Sequence, residues 1–173
     1  MELILVRHTR PLVAENVCYG ATDLELAATF GDEAARVIEA LPAVDRLVTS
    51  PLGRCRRLAE RIGSALALAP VIDARLREMD FGAWEGVPWD DIPRAELDAW
   101  AADFLHARPH GGESVHMLYE RARSAVADYR RTGLSHIVVT HAGVIKAVRA
   151  QDRHPNAWKS NVAFGGTVRL PFV

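Results

Sequence analysis

The stretch Met1-Glu2-Leu3-Ile4-Leu5-Val6-Arg7-His8 decides how this chain is read. Leu3 to Val6 is an unbroken apolar run, the pattern of a short strand covered on both faces. It stops abruptly at a cation and an imidazole. In an open α/β sheet, ligands bind beyond the carboxyl ends of the strands, so Arg7 and His8 fall where such a fold keeps its chemistry. A second stretch repeats the design: Ile137-Val138-Val139-Thr140-His141-Ala142-Gly143. Two strands each delivering a histidine to one edge make a constellation.

The rest of the chain supplies a frame for these two strands. Apolar spacing predicts a helix over residues 26–41, ended by Pro42, and a strand over 46–49. Ser50-Pro51 reads as N-cap and first position of the next helix, which carries Leu52, Cys55, Leu58, Ala59, Ile62 and Leu66 on one face. Val71-Ile72 is a brief strand. Residues 76–86 are an irregular, ordered loop, and 90–106 form one or two helices with Ile92, Leu97, Trp100, Phe104 and Leu105 turned inward. A helix over 113–131 follows, then the second key strand and a helix over 144–150. Residues 162–172 read as two short strands around Gly165-Gly166. The alternation predicts one domain, 1–173, an α/β/α three-layer sandwich with a mostly parallel sheet.

Composition narrows the partners. Charged residues are 25% and apolar ones 49%, with a net charge of −1, which argues against a nucleic-acid partner. The N-terminal apolar run is too short for a signal core, and nothing approaches membrane-spanning length. The two cysteines, Cys18 and Cys55, are expected as free thiols in a reducing cytoplasm. His106, His110 and His116 are not expected to hold a metal, because they straddle Pro109 and two glycines and no helix presents them together. No cofactor is expected.

Five side chains collect on the predicted edge: Arg7, His8, Arg54, His141 and Glu78. Arg54 lies in the first turn of a helix, where the dipole disfavours a cation, so it needs an anion to face. Two arginines bind a phosphate through planar, charge-assisted hydrogen bonds. A histidine beside phosphate serves either as general acid or as nucleophile. A second histidine can hydrogen-bond the equatorial oxygens, and a carboxylic acid can protonate the leaving alkoxide. The loop over residues 9–26 either lines a substrate pocket or is a plain surface connection. Tyr19 and Gly20 within it, and Ala142 beside His141, are the candidate substrate contacts. The partner is a small-molecule phosphate ester, and the oligomeric state is left open, a homodimer included.

At these residues the chain resembles a family. Leu5-Val6-Arg7-His8, Ser50-Pro51-Leu52-Gly53-Arg54, Leu76-Arg77-Glu78 with Phe81-Gly82-Ala83-Trp84-Glu85-Gly86, Gly112-Glu113-Ser114 and Thr140-His141-Ala142-Gly143 follow, in order, the motifs of the histidine phosphatase superfamily. The resemblance implies a phosphoglycerate-mutase-like fold. It implies His8 as the nucleophile that becomes phosphohistidine, and Arg7, Arg54 and His141 as the phosphate pocket. Glu78 is implied as proton donor and later base, with Glu85 a supporting acid that sequence does not separate from the donor role. Thr9, Pro11 and Ala14 stand where the family usually has Gly, Thr and Asn. Arg-His-x-x-Pro followed by Cys18-Tyr19-Gly20-Ala21-Thr22-Asp23 resembles a bacterial branch of alpha-ribazole phosphatases, and the chain is shorter than the mutases. The resemblance therefore implies a metal-independent phosphatase, with alpha-ribazole 5′-phosphate of cobalamin assembly as first substrate. A phosphoglycerate mutase or broad-specificity phosphatase is the alternative, and a non-catalytic phosphate-binding scaffold the remote one.

Overall fold

The computed structural model describes residues 1–151 and 157–171. Its centre is a five-stranded sheet: β1 (Glu2–Arg7), β2 (Arg46–Thr49), β3 (Val71–Ile72), β4 (His136–Thr140) and β5 (Thr167–Pro171), in spatial order β3-β2-β4-β1-β5. Only β5 runs antiparallel. Side chains alternate between the faces of each strand. Ile4, Val6, Leu47, Ile137 and Val139 meet Ala34 and Val37 of α1 (Phe30–Ala40) and Cys55, Leu58 and Ile62 of α2 (Gly53–Leu66). Leu3, Leu5, Val48 and Val138 meet Leu118, Ala122 and Val126 of α4 (Val115–Arg131) and Val144, Ile145 and Val148 of α5 (Ala142–Gln151). This is the expected α/β/α sandwich. Leu3, Ile4, Leu5 and Val6 are all at most 1% exposed, and each contributes about 1.5–3 kcal/mol by burial.

The carboxyl edge of the sheet is roofed by irregular chain. Short 3₁₀ turns cover Ala74–Leu76, Gly82–Trp84 and Trp89–Asp91, and α3 (Arg94–Ala102) follows. Cys18, Trp84 and Ile92 form a small apolar cluster of their own with Phe81, Trp89 and Trp100 packed against it.

Several boundaries differ from the sequence reading, each for a local reason. α1 starts at Phe30, not residue 26, because the backbone at Leu26 is committed to a bridge with Pro11. α2 has Leu52 as N-cap, and Ser50 is spent elsewhere. α4 starts at Val115, with Ser114 as the N-cap accepting the Met117 N–H. α5 begins two residues earlier than expected, directly after His141. Residues 162–166 are loop, so the tail carries one strand rather than two; Phe172 lies outside the described residues. Leu105 is exposed rather than buried.

Candidate active site

β1 and β4 are parallel neighbours with Arg7 opposite Thr140, so the next residue of each strand, His8 and His141, leaves the sheet side by side. Their ring centroids are 5.1 Å apart in an edge-on arrangement. His8 is 2% exposed, and its Nδ1 donates to the Thr9 carbonyl at 2.7 Å. A carbonyl only accepts, so the proton sits on Nδ1 and the lone pair is left on Nε2. Burial, then the nearby Arg54 and Arg7 charges, push the His8 pKa down to about 3, although the Thr9 carbonyl opposes them. His8 is therefore a neutral imidazole at physiological pH.

His141 is fully buried. Ser50 Oγ lies 2.8 Å from its Nε2 and accepts the Leu52 N–H at 3.3 Å. The serine that reads as a helix cap is thus drawn to the second histidine. Burial first, then His8 and the neighbouring arginines, hold the His141 pKa well below the usual imidazole value.

Arg54, 0% exposed, donates from its two terminal nitrogens to the carbonyls of Thr22 (2.7 Å) and Gly20 (2.6 Å). Arg7 donates to the Val162 carbonyl at 2.6 Å and to Asn161 Oδ1 at 3.4 Å. The Nε atoms of both arginines are buried without a partner. These acceptors are neutral, so the buried Arg54 charge and the half-buried Arg7 charge, the latter with Glu78 nearby, sit beside a neutral histidine. Such a site favours a dianion. The tension of placing Arg54 in the first turn of α2 is relieved from outside the helix: Asp23 accepts the Gly53 N–H at 2.9 and 3.1 Å, putting a carboxylate at that end.

The two candidate acids separate cleanly. Glu78 Oε2 accepts the Gly143 N–H at the start of α5 at 3.0 Å, and Oε1 accepts its neighbour Met79 N–H. A Cβ on residue 143 would lie 2.2 Å from Glu78 Oε1, so glycine is what lets the carboxylate approach. Glu85 instead takes five hydrogen bonds, from Gly20, Ala21, Thr22 and Phe81 backbone N–H groups and the Thr22 hydroxyl. Burial alone would raise its pKa; the bonds from Thr22, Gly20, Phe81 and Ala21 outweigh that and hold it low. Glu85 is the peg that folds the Tyr19–Thr22 turn, while Glu78 faces the cavity.

That cavity, of about 480 Å³, is lined by Arg7, His8, Tyr19, Glu78, Ala142 and Gly143 at one end. Trp89, Trp100, Phe104 and Trp158 form an aromatic wall further out. Tyr19 and Ala142 thus stand where substrate contacts were expected, and the residue 9–26 loop lines a pocket. Gly20 has another position: its N–H goes to Glu85, its carbonyl to Arg54, and a Cβ there would meet the Met79 carbonyl at 1.8 Å. It packs behind the cavity. Sequence reasoning missed Asn161 and Phe164, and it read Trp100 and Phe104 as inward-turned helix residues without linking them to Trp89 and Trp158 in a cavity wall. Gly165-Gly166 marked a turn beside Phe164 but not its target. His106 and His116 approach to 5.0 Å between ring centroids, while His110 is buried against Trp84; among the described residues no group of three or more metal-ligating side chains gathers. Both cysteines are free and buried, and burial, with Glu85 nearby, pushes the Cys18 thiol up to about 12. No described helix is long and apolar enough to cross a membrane.

Comparison with known proteins adds a lineage to this geometry. The family description "Histidine phosphatase superfamily (branch 1)" matches residues 3–162. The probable phosphoglycerate mutase GpmB of Klebsiella pneumoniae is 34% identical over 134 residues, covering 73% of this chain; the chain spans 62% of that relative's length. A mycobacterial glucosyl-3-phosphoglycerate phosphatase superposes with a TM-score of 0.83 at 26% identity, over 97% of this chain and 88% of the other. An alpha-ribazole phosphatase from Shigella flexneri shares the fold with a TM-score of 0.86 at 24% identity, over 99% and 90%.

Proposed function

The chain belongs to the histidine phosphatase superfamily, and on that premise we propose that it hydrolyses small-molecule phosphate monoesters through a phosphohistidine on His8. One observation carries the reading. A neutral histidine, its Nδ1 proton fixed on Thr9, lies beside two guanidinium groups, one buried and one half-buried, each with a buried Nε–H that has no partner.

Arg7 and Arg54 hold the phosphoryl oxygens. His8 Nε2 attacks phosphorus, the P–O bond to the leaving group breaks, and Glu78 passes a proton to the departing alkoxide as general acid. Leu52 occupies a lone pair of Ser50, leaving the hydroxyl proton for His141 Nε2. His141 Nδ1–H, here 3.9 Å from Cys55 Sγ, is then the proton this ring can offer an equatorial oxygen as charge builds there. In the second step Glu78, now a carboxylate, takes a proton from water as its oxygen attacks phosphorus. The P–N bond breaks, and His8 and inorganic phosphate are released. Side chains supply all the charge these steps need, so the reaction is metal-independent and uses no cofactor. The active pool is cytoplasmic, where the two thiols stay reduced, and residues 1–173 act as one domain.

As substrate we propose alpha-ribazole 5′-phosphate first, supported by the Thr9–Asp23 loop pattern and by an aromatic wall that offers a flat heterocycle a stacking surface. The second reading is a phosphoglycerate mutase, supported by the identity to GpmB. Rapid-quench labelling tests the core claim: acid-labile, base-stable phosphate should appear on the wild type and be absent in His8→Ala. Side-by-side turnover then decides the substrate. Higher kcat/KM for alpha-ribazole 5′-phosphate than for 3-phosphoglycerate supports the first reading. Rapid interconversion of phosphoglycerates primed by 2,3-bisphosphoglycerate would replace it with the second.

A further inference from the structure

Phe164 belongs to no element and none of the motifs above, yet its ring faces both groups at the end of β1. The Arg7 guanidinium carbon is 4.0 Å from the ring centroid, and the His8 ring centroid is 5.6 Å away at 45°. Arg10 approaches the same ring at 5.3 Å. The backbone around Phe164 is pinned to the strand end. Gly165 N–H donates to the carbonyls of Arg7 (3.2 Å) and His8 (3.1 Å), and Gly166 accepts the Arg7 N–H at 3.0 Å. Gly165 adopts φ +70°, a conformation that suits glycine, so this turn holds the ring against the site. The Val162 carbonyl takes one terminal nitrogen of Arg7 at 2.6 Å. The guanidinium is therefore fixed by a π face and a carbonyl, while its Nε is left for a ligand.

From this arrangement we infer that Phe164 is a positioning residue. Its π face orients Arg7, and its tilted packing limits the rotation of His8, so that phosphate meets a preorganised pair. The negative face of an aromatic ring attracts a desolvated cation, and preorganised charge needs no rearrangement as the reaction proceeds. The inference rests on the proposed phosphoryl site and deepens it.

The test keeps the ring's shape and removes its charge distribution. Phenylalanines carrying one to five fluorines are introduced at position 164, alongside Phe164→Leu and Phe164→Tyr. Two readouts are taken: the single-turnover rate of phosphoenzyme formation from nitrophenyl phosphate, and the affinity for orthovanadate. A graded loss reaching about 3- to 30-fold with fluorination, with Tyr close to wild type and the melting midpoint unchanged, supports the inference. A flat series, or a loss in Phe164→Leu matched by Phe164→Tyr, overturns it. If the wild type forms no phosphoenzyme, the covalent reading of the site falls, and the vanadate series still decides the role of Phe164: graded affinity supports it, flat affinity refutes it.

Discussion

Replacing each of the two candidate acids by its amide separates a structural carboxylate from a chemical one. In Glu85→Gln the new amide oxygen can replace only one carboxylate oxygen. The NH₂ group then faces either the Ala21 and Phe81 N–H groups or those of Gly20 and Thr22 together with the Thr22 hydroxyl. The milder choice leaves two part-buried donors facing donors. At about 1–3 kcal/mol each, the cost is roughly 4 kcal/mol. For a chain of 173 residues this lowers the melting midpoint by roughly 8–16 °C. The turn that loosens carries the Gly20 and Thr22 carbonyls that hold Arg54, so turnover should fall alike for every ester. Glu78→Gln behaves differently. Its amide oxygen still accepts the Gly143 N–H and only the Met79 N–H is left facing the new NH₂, so stability should fall by about 1–3 kcal/mol, less than in Glu85→Gln. Phosphoenzyme formation from a ribose 5′-phosphate should slow by about 10²–10⁴, because an alkoxide needs a proton, while nitrophenyl phosphate should still give a burst and then stall for want of a base. Calorimetry with stopped-flow release of both leaving groups measures all of this. If Glu85→Gln melts within about 2 °C of wild type and shows the leaving-group selectivity instead, the division of labour argued here is wrong.

Three further outcomes follow from particular contacts. Gly143→Ala puts a methyl 2.2 Å from Glu78 Oε1 and should displace that acid, slowing phosphoenzyme formation from alkyl esters at least about tenfold while sparing the nitrophenyl phosphate burst; equal losses of the first step with both would point to a general disturbance of α5. Arg54→Lys cannot span the Gly20 and Thr22 carbonyls together, so the first chemical step should slow by about 10²–10³ with both esters; an unchanged burst rate would remove Arg54 from the phosphoryl site. The folded pKa of His8, about 3, lies below its unfolded value of 6.5, so the unfolded state binds the proton first. Stability should therefore fall as pH drops from about 6.5 towards 3, by several kcal/mol from this residue. His8→Asn should flatten that slope in denaturant titrations; an identical slope would mean the imidazole is already charged in the folded protein.

The fold was legible because its two decisive strands carry their message locally. Four apolar residues ending in Arg7-His8, and a β-branched run ending in His141, need no knowledge of the rest of the chain. Their adjacency follows from parallel pairing. What stayed hidden depends on contacts between distant residues. Ser50 before Pro51 has the local signature of a helix cap, and only the position of His141 diverts its hydroxyl. Leu26 continues an apolar helical spacing, but Pro11 claims its backbone. Glu78 and Glu85 are alike in a sequence window; the turn built around Glu85 tells them apart. Trp89, Trp100, Phe104 and Trp158 come from three separate segments and become a wall only in three dimensions.

The sheet order also bears on how the molecule is made. β1 is made before β2, β3, β4 and β5, yet its neighbours are β4 and β5, with Leu3 opposite His136 on one side and Leu170 on the other. Its fully apolar core has no strand partner until β4 has been made, and both contacts close very long loops, which slows folding. A nascent chain carrying an unpaired hydrophobic strand is prone to mispairing and aggregation. The same delay means that His8 meets His141 and Phe164 only after β4 and the turn before β5 have been made, so the candidate site is assembled all at once.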